Sequence, residues 1–252
     1  MLRTRIIPVL LLSKKGLVKT VKFGKGKYIG DPINAVKLFN DKEVDELVIL
    51  DIDAAKEKRK PDFTAISDMV SEAFMPVAYG GGITEIEDIK KMFSIGVEKV
   101  IINSAALINL DLIKEASIIY GDQSIVVSID VQKNFWGKYQ IYSHAGINPV
   151  HKDAIEFAKA AAAAGAGEII INAVDLDGMM TGYDTNLIAK IAPHVSVPVV
   201  ACGGAGSLHD LKAGYQAGAS ALAAGSLFVY HGPHKAVLIN YPSQQQLKEL
   251  FN

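Results

Sequence analysis

The 252-residue sequence holds one cysteine, one tryptophan and no excess of either charge, with 26 Lys and Arg against 27 Asp and Glu. The lone Cys202 excludes an internal disulfide and suits a reducing compartment. It follows the apolar run Val199–Ala201, so inert packing in the core is expected of it rather than nucleophilic chemistry. A net charge of −1 removes the electrostatic case for nucleic acid or an anionic membrane surface. No apolar run approaches the roughly 20 residues needed to span a bilayer. Met1–Leu12 carries Arg3 and Arg5 ahead of a short apolar run. No small-residue cleavage site follows, so a buried first strand is expected there, not a signal peptide. A cytoplasmic location is the corresponding expectation. The six histidines (144, 151, 194, 209, 231 and 234) show no ligand spacing, and there is no cysteine pair, no nucleotide fingerprint and no Ser-His-Asp arrangement. Neither a metal nor an organic cofactor is therefore expected.

What the chain does have is internal repetition. Val77–Ala105 reads VAYGGGITEIEDIKKMFSIGVEKVIINSA, and Val199–Leu227 reads VVACGGAGSLHDLKAGYQAGASALAAGSL. Gly81 and Gly203 stand 122 positions apart. The same offset pairs Gly82 with Gly204, Asp88 with Asp210, Gly96 with Gly218 and Ser104 with Ser226, and reaches back without a gap to Glu46 with Glu168. An offset near half the length means two halves built on one plan. Each copy runs strand, glycine turn, amphipathic helix, second strand and a short Asn-Ser or Gly-Ser turn. Glycine after a strand lets a ligand approach the backbone, and a following helix N-terminus adds N–H donors and a positive dipole end. Each half is expected to carry one phosphate cradle. Tight helix-to-strand packing without a ligand is the alternative.

Half the residues are apolar. Short Val- and Ile-rich runs recur at 6–12, 47–50, 76–79, 99–102, 124–129, 168–171, 198–201 and 220–223, which suits strands buried on both faces. Between them lie helical patterns. Pro32–Phe39 follows Asp31 as N-cap, Thr84 with Glu87 suggests a capping box opening Glu85–Phe93, Lys152–Ala164 ends at Gly165, and Ser207–Ala217 ends at Gly218. Eight strands alternating with helices in two equal halves predict an α/β fold, a closed (β/α)8 barrel of two half-barrels, and one domain over 1–252. Two connections are long. Ser13–Gly30 holds six lysines and four glycines and reads as a loop, either folding over an anionic substrate or simply solvated. Gln132–Val150 carries Trp136, Tyr139, Tyr142 and His144.

Carboxylates at strand C-termini are the catalytic candidates in such a barrel: Asp51, Asp53, Asp130, Asp175 and Asp177. Asp130 is read as ending the fifth strand. Matching Ile125 with Ile6, 119 positions apart, puts Leu11 in the other half opposite Asp130. One half thus has a carboxylate where the other has an apolar side chain. Asp130 is either an acid/base group or a structural hydrogen-bond acceptor. Arg5, Glu46, Lys99 and Glu168 fall at or near strand starts and should ring the opposite opening. Barrel interiors are packed, so the residues by themselves favour a structural plug over a gated passage.

RIIPVL, GDPINAVKLFNDKEVDELVILDID, YGGGI, GVEKVIINSAA, VVSIDVQ, GAGEIIINAVDLDGMMTGYD and CGGAG together resemble the HisF family, the cyclase subunit of imidazole glycerol phosphate synthase, over nearly the whole chain. The resemblance implies a (β/α)8 barrel taking a bis-phosphorylated ribonucleotide, which is cleaved and cyclised with ammonia to imidazole glycerol phosphate and an aminoimidazole carboxamide ribonucleotide in histidine biosynthesis. It implies a glutaminase subunit (HisH-like) docked on the barrel bottom and ammonia travelling through the core. Gly82, Asn103 and Ser104, and Gly178, Gly204, Gly225 and Ser226, match the phosphate positions. Lys19, Asp51 and Asp177 match substrate-binding positions. Arg5, Glu46, Lys99 and Glu168 match the ammonia gate, which reverses the preference for a plug. Asp130 matches one of two catalytic aspartates. The other falls on Leu11, where PVLLLSKKG departs from the family's Cys-Leu-Asp-Val pattern. That departure leans toward a second branch of the family, in which the barrel supplies ammonia to a separate amidotransferase of bacterial surface-sugar (lipopolysaccharide) biosynthesis.

Overall fold

The computed structural model describes residues 4–143 and 153–251. The start of the expected first segment, His144, His151, the end of the 132–150 connection and the start of the 152–164 helix lie outside them. Eight parallel strands form the sheet: β1 (Arg5–Ser13), β2 (Leu47–Asp51), β3 (Val77–Gly80), β4 (Lys99–Ile102), β5 (Ile125–Lys133), β6 (Glu168–Ala173), β7 (Val199–Cys202) and β8 (Ala221–Ala224). Each pairs with its neighbour in sequence, and β8 pairs back onto β1 with Arg5 opposite Ala221 and Pro8 opposite Ala224. The sheet is closed, as the alternating pattern predicts for a (β/α)8 barrel.

Two apolar layers hold it together. The larger lies between sheet and helices and includes Phe39, Met69, Ile89, Phe157 and Leu211. The smaller fills the barrel interior with Ile7, Val9, Val48, Ala78, Ile101, Val126, Ile170, Val200, Ala221 and Ala223. Residues facing both layers explain why the strands read as unbroken apolar runs rather than alternating ones.

The helices α1 (Pro32–Asp41), α2 (Phe63–Ser71), α3 (Ile86–Ser94), α4 (Asp111–Tyr120), α5 (Ala154–Ala163), α6 (Thr185–Ile191), α7 (Leu208–Gln216) and α8 (Gln244–Phe251) pack outside. Asp31 caps α1 as expected, accepting from Asn34 N–H at 2.9 Å with Pro32 in the first turn. Gly96 and Gly218 close α3 and α7 in the same way: Val97 N–H reaches the Met92 carbonyl and Ala219 N–H the Gly214 carbonyl, with the glycines at φ of 94° and 106°. The expected capping box is shifted by one residue. Glu85, not Thr84, is the N-cap, and Asp88, not Glu87, reaches back to accept from Thr84 N–H at 2.9 Å and Glu85 N–H at 3.2 Å. Asp210 repeats this on Gly206 and Ser207 N–H at 2.9 Å each.

Two further expectations are corrected. The 13–30 connection is a β-hairpin of Gly16–Lys19 and Lys27–Gly30, continuing antiparallel from the end of β1. The fifth strand does not end at Asp130 but runs on to Lys133, because Tyr139–Ile141 pairs antiparallel with its last residues. The comparison of halves is reproduced in register: Leu11 pairs with Leu50 on β2, and Asp130 pairs with Asn172 on β6, where 50 and 172 are again 122 apart. No helix among the described residues is long and apolar enough to cross a membrane.

Candidate functional site at the barrel mouth

A cavity of about 650 Å³ opens at the C-terminal ends of the strands. Its wall includes Lys19, Asp51, Gly82, Asn103, Ser104, Asp130, Asp177, Gly178, Gly204, Gly225 and Ser226, together with Leu11 and Cys202. Every mouth residue that the family resemblance singled out is thus brought to one cavity, whereas two of the strand-end carboxylates, Asp53 and Asp175, are not in its wall: Asp53 accepts from Ser13 Oγ at 2.7 Å and Asp175 from Lys133 N–H at 2.8 Å.

The glycine turns are built alike in the two halves. Gly81 and Gly82 have φ of 121° and 75°, and Gly203 and Gly204 have 86° and 111°. A Cβ at Gly81 would lie 2.4 Å from the Asp51 carbonyl oxygen, and one at Gly204 would lie 2.1 Å from that of Gly182. Backbone packing therefore accounts for glycine at these two positions on its own. The N–H groups of Thr84 and Glu85, and of Gly206 and Ser207, are taken up by Asp88 and Asp210. This corrects the expectation that the long helices α3 and α7 present those donors to a ligand. The short helices Ser104–Ile108 and Ser226–Val229 begin at the cavity wall instead, and neither carries a side-chain cap on its N-terminus. Their first-turn N–H groups are the donors left to a ligand.

Asp130 projects from within β5. Asn172 donates to its Oδ1 at 3.1 Å, and Asn103 donates to its Oδ2 at 3.2 Å. Asn103 Nδ2 also lies 2.9 Å from the Ser128 carbonyl oxygen. Burial pushes the Asp130 carboxyl up to about 7 against those two donors. It sits in a wall of side chains and caps no helix or turn.

Across the mouth, the hairpin drops Lys19 inward. Its side chain is 6% exposed and donates to the Val9 carbonyl at 2.6 Å. Burial lowers its ammonium to about 8, opposed by Asp177. Asp177 is raised, chiefly by burial, and accepts from Thr20 Oγ1 at 3.1 Å. Lys22 N–H donates to the Asp177 carbonyl at 2.9 Å, so the hairpin is fastened to the loop after β6 and covers that side of the cavity. Asp51 is held by Ala54 N–H at 3.1 Å and by Arg59 at 2.8 Å. Cys202 packs against the interior apolar cluster as expected, at the point where that cluster meets the cavity wall, and burial pushes its thiol up to about 12.

At the other end of the strands Arg5, Glu46, Lys99 and Glu168 form a closed ring. Arg5 bonds both Glu46 and Glu168, and Lys99 bonds Glu46 at 2.9 Å and Glu168 at 3.0 Å. The carboxylates are 4% and 5% exposed. Each charge touches only opposite charges, which offsets its burial. Two residues further along the same four strands stand Ile7, Val48, Ile101 and Ile170, all in the interior apolar cluster. Two further still stand Val9, Leu50, Asn103 and Asn172, all lining the cavity. The period of two along a strand keeps these sets on the inward face. Val48, Ile101 and Ile170 also line the cavity, so this one apolar layer is itself the floor of the mouth and stands between the cavity and the charged ring.

Among the wall residues not singled out from the sequence are three that bond the site's carboxylates: Asn172, Arg59 and Thr20. Asn172 carried the same signal as Asp130, a polar residue closing an apolar run. The other two lie in loops, where nothing in the pattern distinguishes them.

The closed barrel, its duplicated turns and its one-ended mouth define a (β/α)8-barrel protein of two half-barrels with its site at the C-terminal face. Residues 5–235 match the family described as histidine biosynthesis protein. The chain is 51% identical to a Pseudomonas aeruginosa protein provisionally named imidazole glycerol phosphate synthase subunit hisF2, over 98% of this chain and 99% of that one. It is 46% identical to a Leptospira interrogans protein provisionally named as the HisF subunit, covering both chains fully. With the imidazole glycerol phosphate synthase subunit HisF of Exiguobacterium sibiricum it shares 41% identity over 90% of this chain and 91% of the other. The chain belongs to the histidine biosynthesis protein family, among the HisF subunits of imidazole glycerol phosphate synthase.

Proposed function

We propose that this chain works as a cytoplasmic, single-domain cyclase subunit, using ammonia from a partner glutaminase to cleave and cyclise a bis-phosphorylated ribonucleotide. The products would be imidazole glycerol phosphate and an aminoimidazole carboxamide ribonucleotide. One observation carries this reading: eleven candidate residues line one cavity at one end of the barrel, while four alternating charges close the other end. Gly82, Asn103 and Ser104 would hold one phosphate, and Gly178, Gly204, Gly225 and Ser226 the second, with backbone N–H groups as donors. Lys19 supplies positive charge, and Asp51 and Asp177 orient the remainder of the substrate. Asp130 transfers protons; a carboxyl near 7 exchanges them readily at neutral pH. The ring of Arg5, Glu46, Lys99 and Glu168 admits ammonia from the bottom. The apolar layer above it suits a small neutral molecule and opposes a hydrated cation. Purified protein supplied with the substrate and concentrated ammonium tests the cyclase directly; no imidazole glycerol phosphate would count against it.

Leu11 favours a second reading. Loss of one of two acid/base carboxylates removes on the order of 10²-fold or more in rate, and Leu11 lies in the cavity wall where it accepts no proton. In this reading the chain docks the glutaminase and conducts ammonia to a separate sugar amidotransferase without cyclising the ribonucleotide. Glutaminase activity that does not respond to this chain would exclude it.

A further inference from the structure

Asn172 is the polar residue of the cavity whose bonding is incomplete. It stands on β6 in register with Asp130 on one side and Cys202 on the other. Its Nδ2 donates to Asp130 Oδ1 at 3.1 Å. Its Oδ1 is, among the described residues, the buried side-chain oxygen or nitrogen left without a hydrogen-bond partner. A buried amide oxygen without a donor is costly, so its retention calls for a reason. Beside it, Gly203 has a φ of 86°, and a Cβ there would lie 2.7 Å from this oxygen and 2.8 Å from the Ala173 carbonyl oxygen, so glycine leaves the space next to the amide open.

We propose that Asn172 is a positioning residue that serves Asp130 in both of its protonation states by turning its amide over. This rests on the reading of Asp130 as the proton-transfer group. With Leu11 in the opposite half, one carboxyl must first take a proton from the reacting group and later give it back. An ionised carboxylate only accepts hydrogen bonds, and the amide meets it with its N–H. Once Asp130 Oδ1 carries the transferred proton it becomes a donor, and an amide N–H facing it would clash proton to proton. Turning the side chain presents Asn172 Oδ1 to that O–H. The two orientations fill the same volume, because amide O and N are nearly equal in size. At the far end the oxygen has no partner to lose, and the amide N–H groups that replace it face the space beside Gly203. The proton passes from substrate to Asp130 Oδ1 and back, so no charge accumulates in the cycle.

Asn103 does not duplicate this role. Its Nδ2 is shared between Asp130 Oδ2 and the Ser128 carbonyl, and reversing it would set two oxygens against each other. The other titratable groups facing Asp130 are Asp177 after β6, Cys202 on β7, Lys19 from the hairpin and Asp51 on β2. Asp177 opposes its ionisation, and an ionised Asp130 in turn raises the Cys202 thiol.

The test has one arm that needs no turnover. Neutron diffraction from wild-type crystals, with exchangeable hydrogens as deuterium, is recorded well below and well above neutral pH. The expected result is deuterons of the Asn172 amide facing Asp130 at high pH and facing Gly203 at low pH. One orientation at both pH values overturns the proposal. In the second arm, Asn172→Leu removes the amide at similar volume. Cyclisation should fall about tenfold or more in kcat with KM little changed, and the acid limb of the pH profile should move to higher pH. A loss confined to KM, or an unmoved pH limb, also overturns it. If wild-type protein shows no cyclisation but the amide turns, the reading of the chain as a cyclase fails and this inference stands.

Discussion

Lys19 Nζ lies 2.6 Å from the carbonyl oxygen of Val9, and this contact is the counterpart of one made by Asn103 in the other half. Asn103 Nδ2 lies 2.9 Å from the carbonyl of Ser128. Ser128 is the match of Val9 at the offset of 119, and Gly225 is the match of Asn103 at the offset of 122. Where the first half uses an asparagine side chain, the second has none, and the hairpin lysine fills the space. A duplicated frame thus carries two different polar groups at equivalent places: an amide beside Asp130 in one half and an ammonium below Leu11 in the other.

The two groups titrate near 7 and near 8, and kcat/KM should therefore be bell-shaped with a narrow optimum between them. Asp130 must be ionised to accept a proton, so the rate rises as pH passes about 7. Lys19 must be charged to attract a phosphorylated substrate, so the rate falls as pH passes about 8. The profile of kcat/KM reports the free protein, where these values apply. Lys19→Met should remove the alkaline limb and raise KM, and a profile unchanged by that substitution would sink the assignment.

Asp130 also links stability to pH. Burial raises its carboxyl from the ordinary range to about 7. Between about 4, where the unfolded chain releases this proton, and 7, the native state keeps it. The stabilisation is complete below about 4 and is lost as pH rises through 7. Asp130→Asn cannot ionise, so it should be more stable than wild type at pH 8, by a few kcal/mol in order of magnitude, and no more stable below about pH 4. Urea unfolding at the two pH values measures the difference. Equal stability at both would mean that the carboxylate is well solvated or well paired.

Lys99→Ala should strip the barrel floor of one of two cations. Glu46 and Glu168 then share Arg5 alone while remaining almost wholly buried. Breaking a buried pair costs about 3–5 kcal/mol, and the 21% exposure of the Lys99 side chain places this near the lower end. If the ring controls entry, transfer from glutamine should collapse while turnover with added ammonium survives. Equal losses with both nitrogen sources would show the ring to be only structural.

The duplication was legible because the two halves keep the same glycines and carboxylates in one register of 122 from 46–105 to 168–227, while Leu11 falls against Asp130 through a second offset, 119, that matches Ile6 with Ile125. The ring was legible for the same reason: Glu46 and Glu168 are copies, and parallel strands start at one end. The hairpin was not. Its second strand, Lys27–Gly30, is exposed or half-exposed along its length, so no burial pattern marks it, and its lysines and glycines read as loop. The capping box slipped because Thr84 and Glu85 both offer plausible caps, and only the backbone at Glu85, extended at φ −148°, decides between them. Asn172 and Arg59 owe their importance to neighbours 42 and 8 positions away along the chain, contacts that residue type alone does not announce.

Leu11→Asp separates a cyclase that lacks one carboxylate from a conduit that never cyclises. The side chain already faces the cavity and lies next to Leu50 in register. An aspartate there would be partly buried among apolar neighbours, at a cost of about 1–3 kcal/mol. A gain in cyclisation on the order of 10²-fold would show that only the second carboxylate was missing. No gain, with the protein folded and both cradles binding phosphate, would favour the conduit.

Gly225→Ala isolates the contact between Lys19 and the Val9 carbonyl. The new Cβ would lie 2.2 Å from Lys19 Nζ, while the nearest backbone atom, the Val9 oxygen, is 3.2 Å away. The clash is therefore with the far end of a flexible chain, which swings aside at little expense to the fold. Thermal unfolding should shift by no more than a few degrees, since no cavity is created and the φ of −100° at residue 225 suits alanine. The ammonium, displaced from its buried seat, should recover a pKa closer to that of an ordinary lysine. Titration with inorganic phosphate should then lose the cradle at Gly204, Gly225 and Ser226 while keeping the one at Gly82, Asn103 and Ser104. If both cradles weaken together, the lysine serves the cavity as a whole. If neither changes, its contact with Val9 is a packing device and the charge in that half comes from elsewhere.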